Sequence, residues 1–367
     1  MNNDDSVYLE LIEKQRKWIY GLPDSAYLLP LMRLRMSPAE AAFLLKIPHV
    51  PHTIEQLQQA VRMDMPALQA MLDALARKGL VMKIASSRGA RYMLHDAFFW
   101  FYRMPGYEGK NDDFNREISP LLNRYYRQSM AANVHLHQHK GLRTIPINAS
   151  VTDSQSVMPF EDVASIIDAS IFASVSTCSC RHRRNLDPDE ESCRHETRTC
   201  LHLDILGRYL AENGLAEEIS KDEALEIAEN CADAGLVHAA TNTKEGIDTI
   251  CNCCSCCCAF IETKLVLPEP LTPGHQPSNY IAAVDHDVCK RCGLCAKRCP
   301  MKALSLIGEK DHEEQILFSP KKCIGCGVCA HKCPTGAIRL KRREKQEHYP
   351  ANMIELAQAM LRDQGVL

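Results

Sequence analysis

Apolar positions recur at helical spacing through the first hundred residues. Val7, Leu11, Ile12, Trp18 and Ile19 predict an amphipathic lead helix over residues 7–20. From Ser37 the pattern sharpens: Ser37-Pro38-Ala39-Glu40 is a capping box with proline at the first helical position, and its helix should end near Pro48. Thr53, with Gln56 in the matching position, opens a second short helix. Asp64 caps a longer one, whose Leu68, Met71, Leu72 and Leu75 form one apolar face and whose Gly79 is placed to end it. Leu80 to Ala85 and Arg91 to Leu94 read as two strands joined by the turn Ser86-Ser87-Arg88-Gly89.

Three helices and a β-hairpin in that order resemble a winged helix-turn-helix. The aromatic run Phe98, Phe99, Trp100, Phe101 and Tyr102 is expected to pack the wing rather than to stack on a nucleic-acid base, and Asp113 to Ala132 reads as a further helix. Together these two stretches should separate the N-terminal unit from the rest of the chain. His135, His137 and His139 alternate, so on a strand they would share a face, as metal ligands can; with no Cys, Asp or Glu close in sequence, solvated surface is the preferred reading. Beyond Thr144 the pattern predicts an extended Ile145-Pro146-Ile147 and a helix over Phe160 to Asp168. A short strand ending at Ser176 comes next, then helices around Leu201 to Glu212 and Lys221 to Ala234, the last capped by Ser220 with Glu223 in box position. Pro268, Pro270, Pro273, Gly274 and Pro277 suggest an extended linker.

The expected architecture is therefore multidomain α+β. It divides into a lead helix and winged helix at 1–105, a helical connector at 106–143 and a central α/β cysteine-rich domain at 144–263. A Pro-rich linker at 264–283, a ferredoxin-like two-cluster module at 284–343 and a C-terminal helix at 344–367 complete it. A chain of 367 residues with 46% hydrophobic content is long enough for such a division.

Cysteine changes the picture. All 19 fall after residue 177, in two territories. The start Met1-Asn2-Asn3-Asp4-Asp5 lacks a positive region followed by an apolar one, and no run reaches the ~18 apolar residues of a membrane span, so a cytoplasmic protein is expected. In a reducing compartment so many thiols read as metal ligands, and thiolate-bound clusters suit a cell living with little oxygen, an anaerobic setting. The formal net charge of −3 becomes more negative once such clusters are counted, which speaks against general affinity for nucleic acid or anionic membrane.

Cys289, Cys292, Cys295 and Cys299 followed by Pro300 give C-x2-C-x2-C-x3-C-P, and the spacing returns at Cys323, Cys326, Cys329 and Cys333 followed by Pro334. Ala303-Leu304 and Ala337-Ile338 fall at equivalent places, so the duplication includes packing residues. Three closely spaced thiolates can grip three corners of one cubane while the fourth, past a proline, reaches the other cluster. Cluster 1 is thus assigned to Cys289, Cys292, Cys295 and Cys333, and cluster 2 to Cys323, Cys326, Cys329 and Cys299. A pair of zinc sites would not explain the third cysteine, the proline or the repeat. The segment resembles bacterial two-cluster ferredoxins over about 57 residues, and the resemblance implies single-electron transfer at low potential.

The second territory holds Cys178 and Cys180 followed by Arg181, then Cys193 and Cys200, then Cys251, Cys253, Cys254, Cys256, Cys257 and Cys258. The CxCR motif, Gly235-Leu236-Val237-His238 as a helix exit and the CNCCxCCC run resemble a family of anaerobe iron–sulfur proteins. Such proteins carry a terminal two-cluster module, often a winged-helix start, and an activity that is largely undefined. Neighbouring thiolates repel unless a cation neutralises them, so these residues are candidate ligands for one or two further iron–sulfur clusters. In one arrangement Cys178, Cys180, Cys193 and Cys200 hold one cluster and four of the last six hold another; in a second, ligands are shared between the groups with His238 as a non-cysteine candidate. A structural zinc site is the competing reading. Cys231, inside a predicted helix beside alanines, reads as a small buried hydrophobe. Arg181, His182, Arg183 and Arg184 could put positive charge beside the thiolates, raising a cluster's potential or holding an anionic substrate, but a solvated basic loop is the preferred reading.

These features point to an iron–sulfur electron-transfer protein, a relay or adaptor subunit of an anaerobic oxidoreductase complex. Its expected partners are oxidoreductase subunits, flavin-containing ones among them, because no phosphate loop or dinucleotide fingerprint occurs in this chain. One alternative is a redox-sensing winged-helix regulator that binds DNA. Residues 37–103 carry eight Lys/Arg against five acids, a mild surplus for that role. A second alternative is a reductase whose upstream cluster meets substrate, for which no acid–base constellation is evident and no catalytic residue can be named.

Overall fold

The computed structural model describes residues 3–87, 89–152, 157–261, 274–309 and 312–367. Helix α1 (Asn3–Arg16) stops before Trp18 and Ile19, where Tyr20 and Gly21 turn the chain with positive φ, so the lead helix is shorter than its apolar spacing suggests. After α2 (Leu28–Arg35), helix α3 (Pro38–Leu44) carries the Ser37/Glu40 capping box. Strand β1 (His52–Thr53) leads into α4 (Ile54–Val61), capped by Thr53 and Gln56, and α5 (Met65–Arg77) is capped by Asp64. Strands β2 (Val81–Ile84) and β3 (Arg91–Leu94) form the hairpin, and β1 pairs with β3 to complete a three-stranded antiparallel sheet.

The aromatic run forms a π-helix over Phe98–Arg103 in which Phe98, Trp100, Phe101 and Tyr102 are buried. The wider turn stacks Phe98 on Tyr102 at 5.0 Å and sets Phe98 5.2 Å from Phe260. The run therefore joins the N-terminal helices to the cysteine-rich region instead of separating them, and one apolar cluster extends from Leu11 through Phe98 and Phe260 to Val328 and Met360. Helix α6 (Asp113–Tyr125) continues through a π-turn into α7 (Ala131–Leu136). Consequently His135, His137 and His139 do not lie on a strand. His135 and His137 are buried, and His139 pairs with Asp363, so the solvated-surface reading fails for the first two.

The centre is a six-stranded antiparallel sheet. Its strands are β4 (Leu142–Thr144), β5 (Ala173–Thr177), β6 (Arg198–Leu203), β7 (Glu217–Ile219), β8 (Val237–Thr241) and β9 (Thr249–Cys253), in the order β4-β8-β9-β6-β5-β7. Helices α8 (Val163–Ala169) and α11 (Lys221–Asp233) cover one face through Val163, Ile166, Ile167, Ala224 and Ala228, against Val175, Leu201, Leu203 and Ile250. Between them, α9 (Ser179–Leu186) follows β5 and α10 (Asp204–Glu212) follows β6. Leu201 to Leu203 is thus strand where the sequence suggests helix: Leu201 and Leu203 alternate with Cys200 and His202, a period-2 pattern that a helical reading overlooks. Gly235 likewise leads into strand β8.

The C-terminal module pairs β10 (Tyr280–Val284) with β13 (Ile338–Arg342), and β11 (Leu304–Glu309) with β12 (His312–Phe318). Two short helices, α12 (Leu294–Arg298) and α13 (Val328–His331), stand at equivalent points of the repeat, each preceded by a glycine of positive φ, Gly293 and Gly327. Ala303, Leu304, Ala337 and Ile338 are all buried. The expected linker is corrected at its end: His275, Ser278 and Asn279 are buried and Tyr280 opens β10, while residues 264–273 lie outside the described residues. Helix α14 (Met353–Asp363) closes the chain, packing Leu356 and Met360 into the common core.

Candidate metal centres

Strand periodicity assembles the upstream thiols. On β6 and β9 the residues facing α8 and α11 are Leu201 and Ile250, which are register partners, so Cys200, Cys251 and Cys253 project from the opposite face. Cys178 caps the start of α9 at the end of β5, and Cys180 lies in its first turn. Cys258 lies just past the turn that follows β9. These six cysteines and Cys254 wall a cavity of about 30 Å3, together with Phe98, Arg103 and Phe260.

The thiols are close enough to share protons. A hydrogen bond from Cys178 draws Cys180 down to about 5 while its partner is pushed well up. Cys200, bonded to Cys251, is pushed up to about 12 as Cys251 falls well below the usual thiol range. Full ionisation of such a set requires a cation.

Cys193 leaves this group. Its N–H donates to Asn185 Oδ1 at 2.7 Å, and its Sγ lies 3.6 Å from Cys256 and 4.0 Å from Cys254, with Cys257 3.4 Å from Cys256. All four ligand atoms fall within 4.8 Å of one another. A tetrahedral ion with metal–sulfur bonds of ~2.3 Å sets its sulfurs ~3.8 Å apart. A four-iron cube places its own framework between the ligand sulfurs and keeps them farther apart. The tetrad therefore has the dimensions of a single-ion site. Cys193 thus lies with Cys254, Cys256 and Cys257 rather than with Cys178, Cys180 and Cys200, so the close thiol groups mix the two sequence stretches.

Two histidines reach the thiols: His202 bonds Cys200, and His275 places its Nε2 3.8 Å from Cys253 Sγ and completes a close triad with Cys258. His238 instead gives its Nδ1 to Asn252 Oδ1 at 2.7 Å. Sequence reasoning misses His275 because it sits in the proline-rich stretch.

The basic segment after Cys180 is not a solvated loop. Arg181, His182 and Arg183 are buried, because a helix begins at Ser179 and turns them inward. Arg181 donates to Glu196 O, Thr199 Oγ1 and Asn252 O, clamping α9 to β6 and β9. Arg183 lies 3.8 Å over the Tyr102 ring and bonds Asn123 Oδ1 at 2.7 Å. Another buried guanidinium, Arg103, reaches both Cys200 Sγ and Cys251 Sγ at 3.5 Å. No local motif marks it, since 97 residues separate it from Cys200. Cys231 is buried in α11 against Leu236, Cys254 and Cys257.

In the C-terminal module two cavities of about 20 Å3 each repeat one plan. Cys289, Cys292 and Cys295 line the first together with Cys333 and Pro334. Cys323, Cys326 and Cys329 line the second with Cys299 and Pro300. Each cavity thus takes three cysteines from one repeat and the fourth from the other. Gly325 lets the second close up: a Cβ there would lie 2.2 Å from both Ser278 Oγ and Tyr280 O, and its φ is +72°. Arg298 donates to Ala232 O and Asp233 O at the end of α11, and His331 and Lys332 pair with Asp233, which fixes the module to the helix that carries Cys231.

This sequence and geometry define a 4Fe-4S dicluster domain, and residues 288–337 match that family. A shorter likeness is to the pyruvate synthase subunit PorD of Methanothermobacter marburgensis, 52% identical over 27 residues; it covers 7% of this chain and 33% of that protein. The chain carries an iron–sulfur domain and further cysteine groups with metal-binding geometry. No helix among the described residues is long and apolar enough to cross a membrane.

Proposed function

We propose that the chain is an iron–sulfur electron-transfer protein acting as a relay or adaptor component of an oxidoreductase. The carrying observation is the pair of cross-lined cavities at the C-terminus, each offering four cysteines from both halves of the repeat. Cys289, Cys292, Cys295 and Cys333 hold one 4Fe-4S cluster, and Cys323, Cys326, Cys329 and Cys299 the other. Each bound cluster supplies a one-electron couple.

Upstream, the cysteine-lined cavity is of similar size to those two and supports a third cluster held by a subset of Cys178, Cys180, Cys200, Cys251, Cys253 and Cys258. Cys193, Cys254, Cys256 and Cys257 hold a single tetrahedral ion, for which zinc suits the four thiolates. Arg103 and Arg183 supply buried positive charge beside the thiolates, which favours the more negative, reduced state. The short likeness to a pyruvate synthase subunit supports an oxidoreductase partner. The N-terminal helices and hairpin, read as a winged helix, serve as its docking element. In that unit Lys83 is engaged by Asp73 at 3.0 Å, which competes with phosphate for one of the eight Lys/Arg of residues 37–103.

The test is a redox titration of anaerobically purified full chain followed by electron paramagnetic resonance. Reversible one-electron signals from 4Fe-4S clusters are expected. A redox-silent protein containing zinc alone would overturn the reading.

A further inference from the structure

Beside the upstream thiol cavity lies a much larger one, of about 520 Å3, bounded by the segment after α1, the hairpin, the π-helix and α14. Its size is that of a small-molecule site, typically ~300–1,000 Å3. Phe98, Arg103 and Phe260 belong to the walls of both cavities, so an occupant of the larger one is separated from the thiols by single side chains.

The lining is aromatic and thioether-rich. Trp18 stacks on His49 at 4.6 Å on one side, and Met353 and Met360 of α14 stand among the other walls. Polar groups are few and enclosed. His95 is buried, its Nε2 has no hydrogen-bond partner, and burial pushes its pKa down to about 3, so it presents a neutral ring nitrogen. The Asp96 carboxyl, on the same wall, is pushed up to about 6 by burial, and Asp248 is shifted upward for the same reason. Among the described lining residues the one Lys or Arg is Arg103, and its guanidinium is already turned to Cys200 and Cys251. No Lys or Arg among the described lining residues is free to pair with a phosphate or carboxylate, which disfavours nucleotides and acyl-coenzyme ligands.

We propose that this cavity binds an uncharged, planar aromatic molecule bearing hydrogen-bonding carbonyls, the chemistry of a quinone, next to the upstream metal centre. The flat body lies between the Trp18, Phe98 and Phe99 side and α14, and a carbonyl at its polar edge accepts from the unpartnered His95 Nε2. Binding itself requires no cluster, so it stands or falls separately from the electron-transfer reading.

The probe is a naphthoquinone methylated at both ring positions where thiols add, which spares the cysteines, measured by equilibrium dialysis against the full chain under anaerobic conditions. Saturable binding of one molecule per chain is expected, with anthraquinone sulfonate, flat but anionic, at least about tenfold weaker, a difference of ~1.4 kcal/mol. Ala357→Trp fills the cavity from α14 and should weaken binding at least about tenfold with iron content unchanged. Arg362→Trp, on an exposed position of the same helix, should leave it unchanged. Absence of saturable binding, equal binding of the sulfonate, or full binding by the Ala357 variant would each overturn the proposal.

Discussion

Replacing Arg103 by glutamine removes a buried positive charge that faces two upstream thiols at 3.5 Å while keeping a side chain able to hydrogen-bond. A unit charge ~5 Å from the redox charge, at an effective dielectric of ~20, contributes ~3 kcal/mol. At ~59 mV per 1.4 kcal/mol for one electron, that is on the order of 100 mV. The sign comes from charge: the reduced cluster is the more negative state, so losing Arg103 lowers the potential of the upstream centre. Arg103→Lys retains the charge and should recover most of the difference, although it loses the planar contacts with Phe99 and Tyr107. The assay is a mediated redox titration of both variants and the parent, with iron content checked in each sample. One midpoint should move by about that amount and those of the C-terminal module should stay in place. A glutamine variant with its full iron content and all midpoints within ~20 mV of the parent would refute the electrostatic role assigned to Arg103.

Three further outcomes are expected. Cys299→Ala should abolish the signal of the cluster assigned to Cys323, Cys326 and Cys329, and Cys333→Ala that of the other, whereas ligation by sequence proximity would give the reverse; reduced-state spectra of the two variants decide it. Gly325→Ala should lose the same cluster as Cys299→Ala, because its Cβ has no room against Ser278 and Tyr280; an unchanged iron content would contradict this. Tyr209→Phe should lower thermal stability by ~1–2 kcal/mol with spectra unchanged, since its buried hydroxyl lies 3.0 Å from both Ala76 O and Val81 O and ties the hairpin to α10.

Local signals in the chain are legible and contacts across it are not. The caps at Ser37, Thr53, Asp64 and Ser220 all form, because a cap depends on residues three apart. The two C-terminal cavities match the repeat for the same reason: spacing and the prolines carry their plan. Upstream, the ten candidate cysteines are identifiable from their density, yet their partition is not. It is set by the alternation of β6 and β9 and by the loop that carries Cys193 to Cys254, Cys256 and Cys257. Arg103 and His275 leave no signal, since each meets the thiols only through tertiary packing. The aromatic run is legible as core, but the π-helix that points Arg103 at the site is not.

The most direct test of the account is metal and acid-labile sulfide analysis of the full chain purified without oxygen. Two clusters in the module, a third in the upstream cysteine-lined cavity and one ion in the tetrad predict about twelve irons, about twelve sulfides and about one zinc per chain. About eight irons would show that the upstream cavity holds no cluster, about sixteen without zinc would show that the tetrad is not a single-ion site, and zinc without sulfide would contradict the iron–sulfur reading altogether.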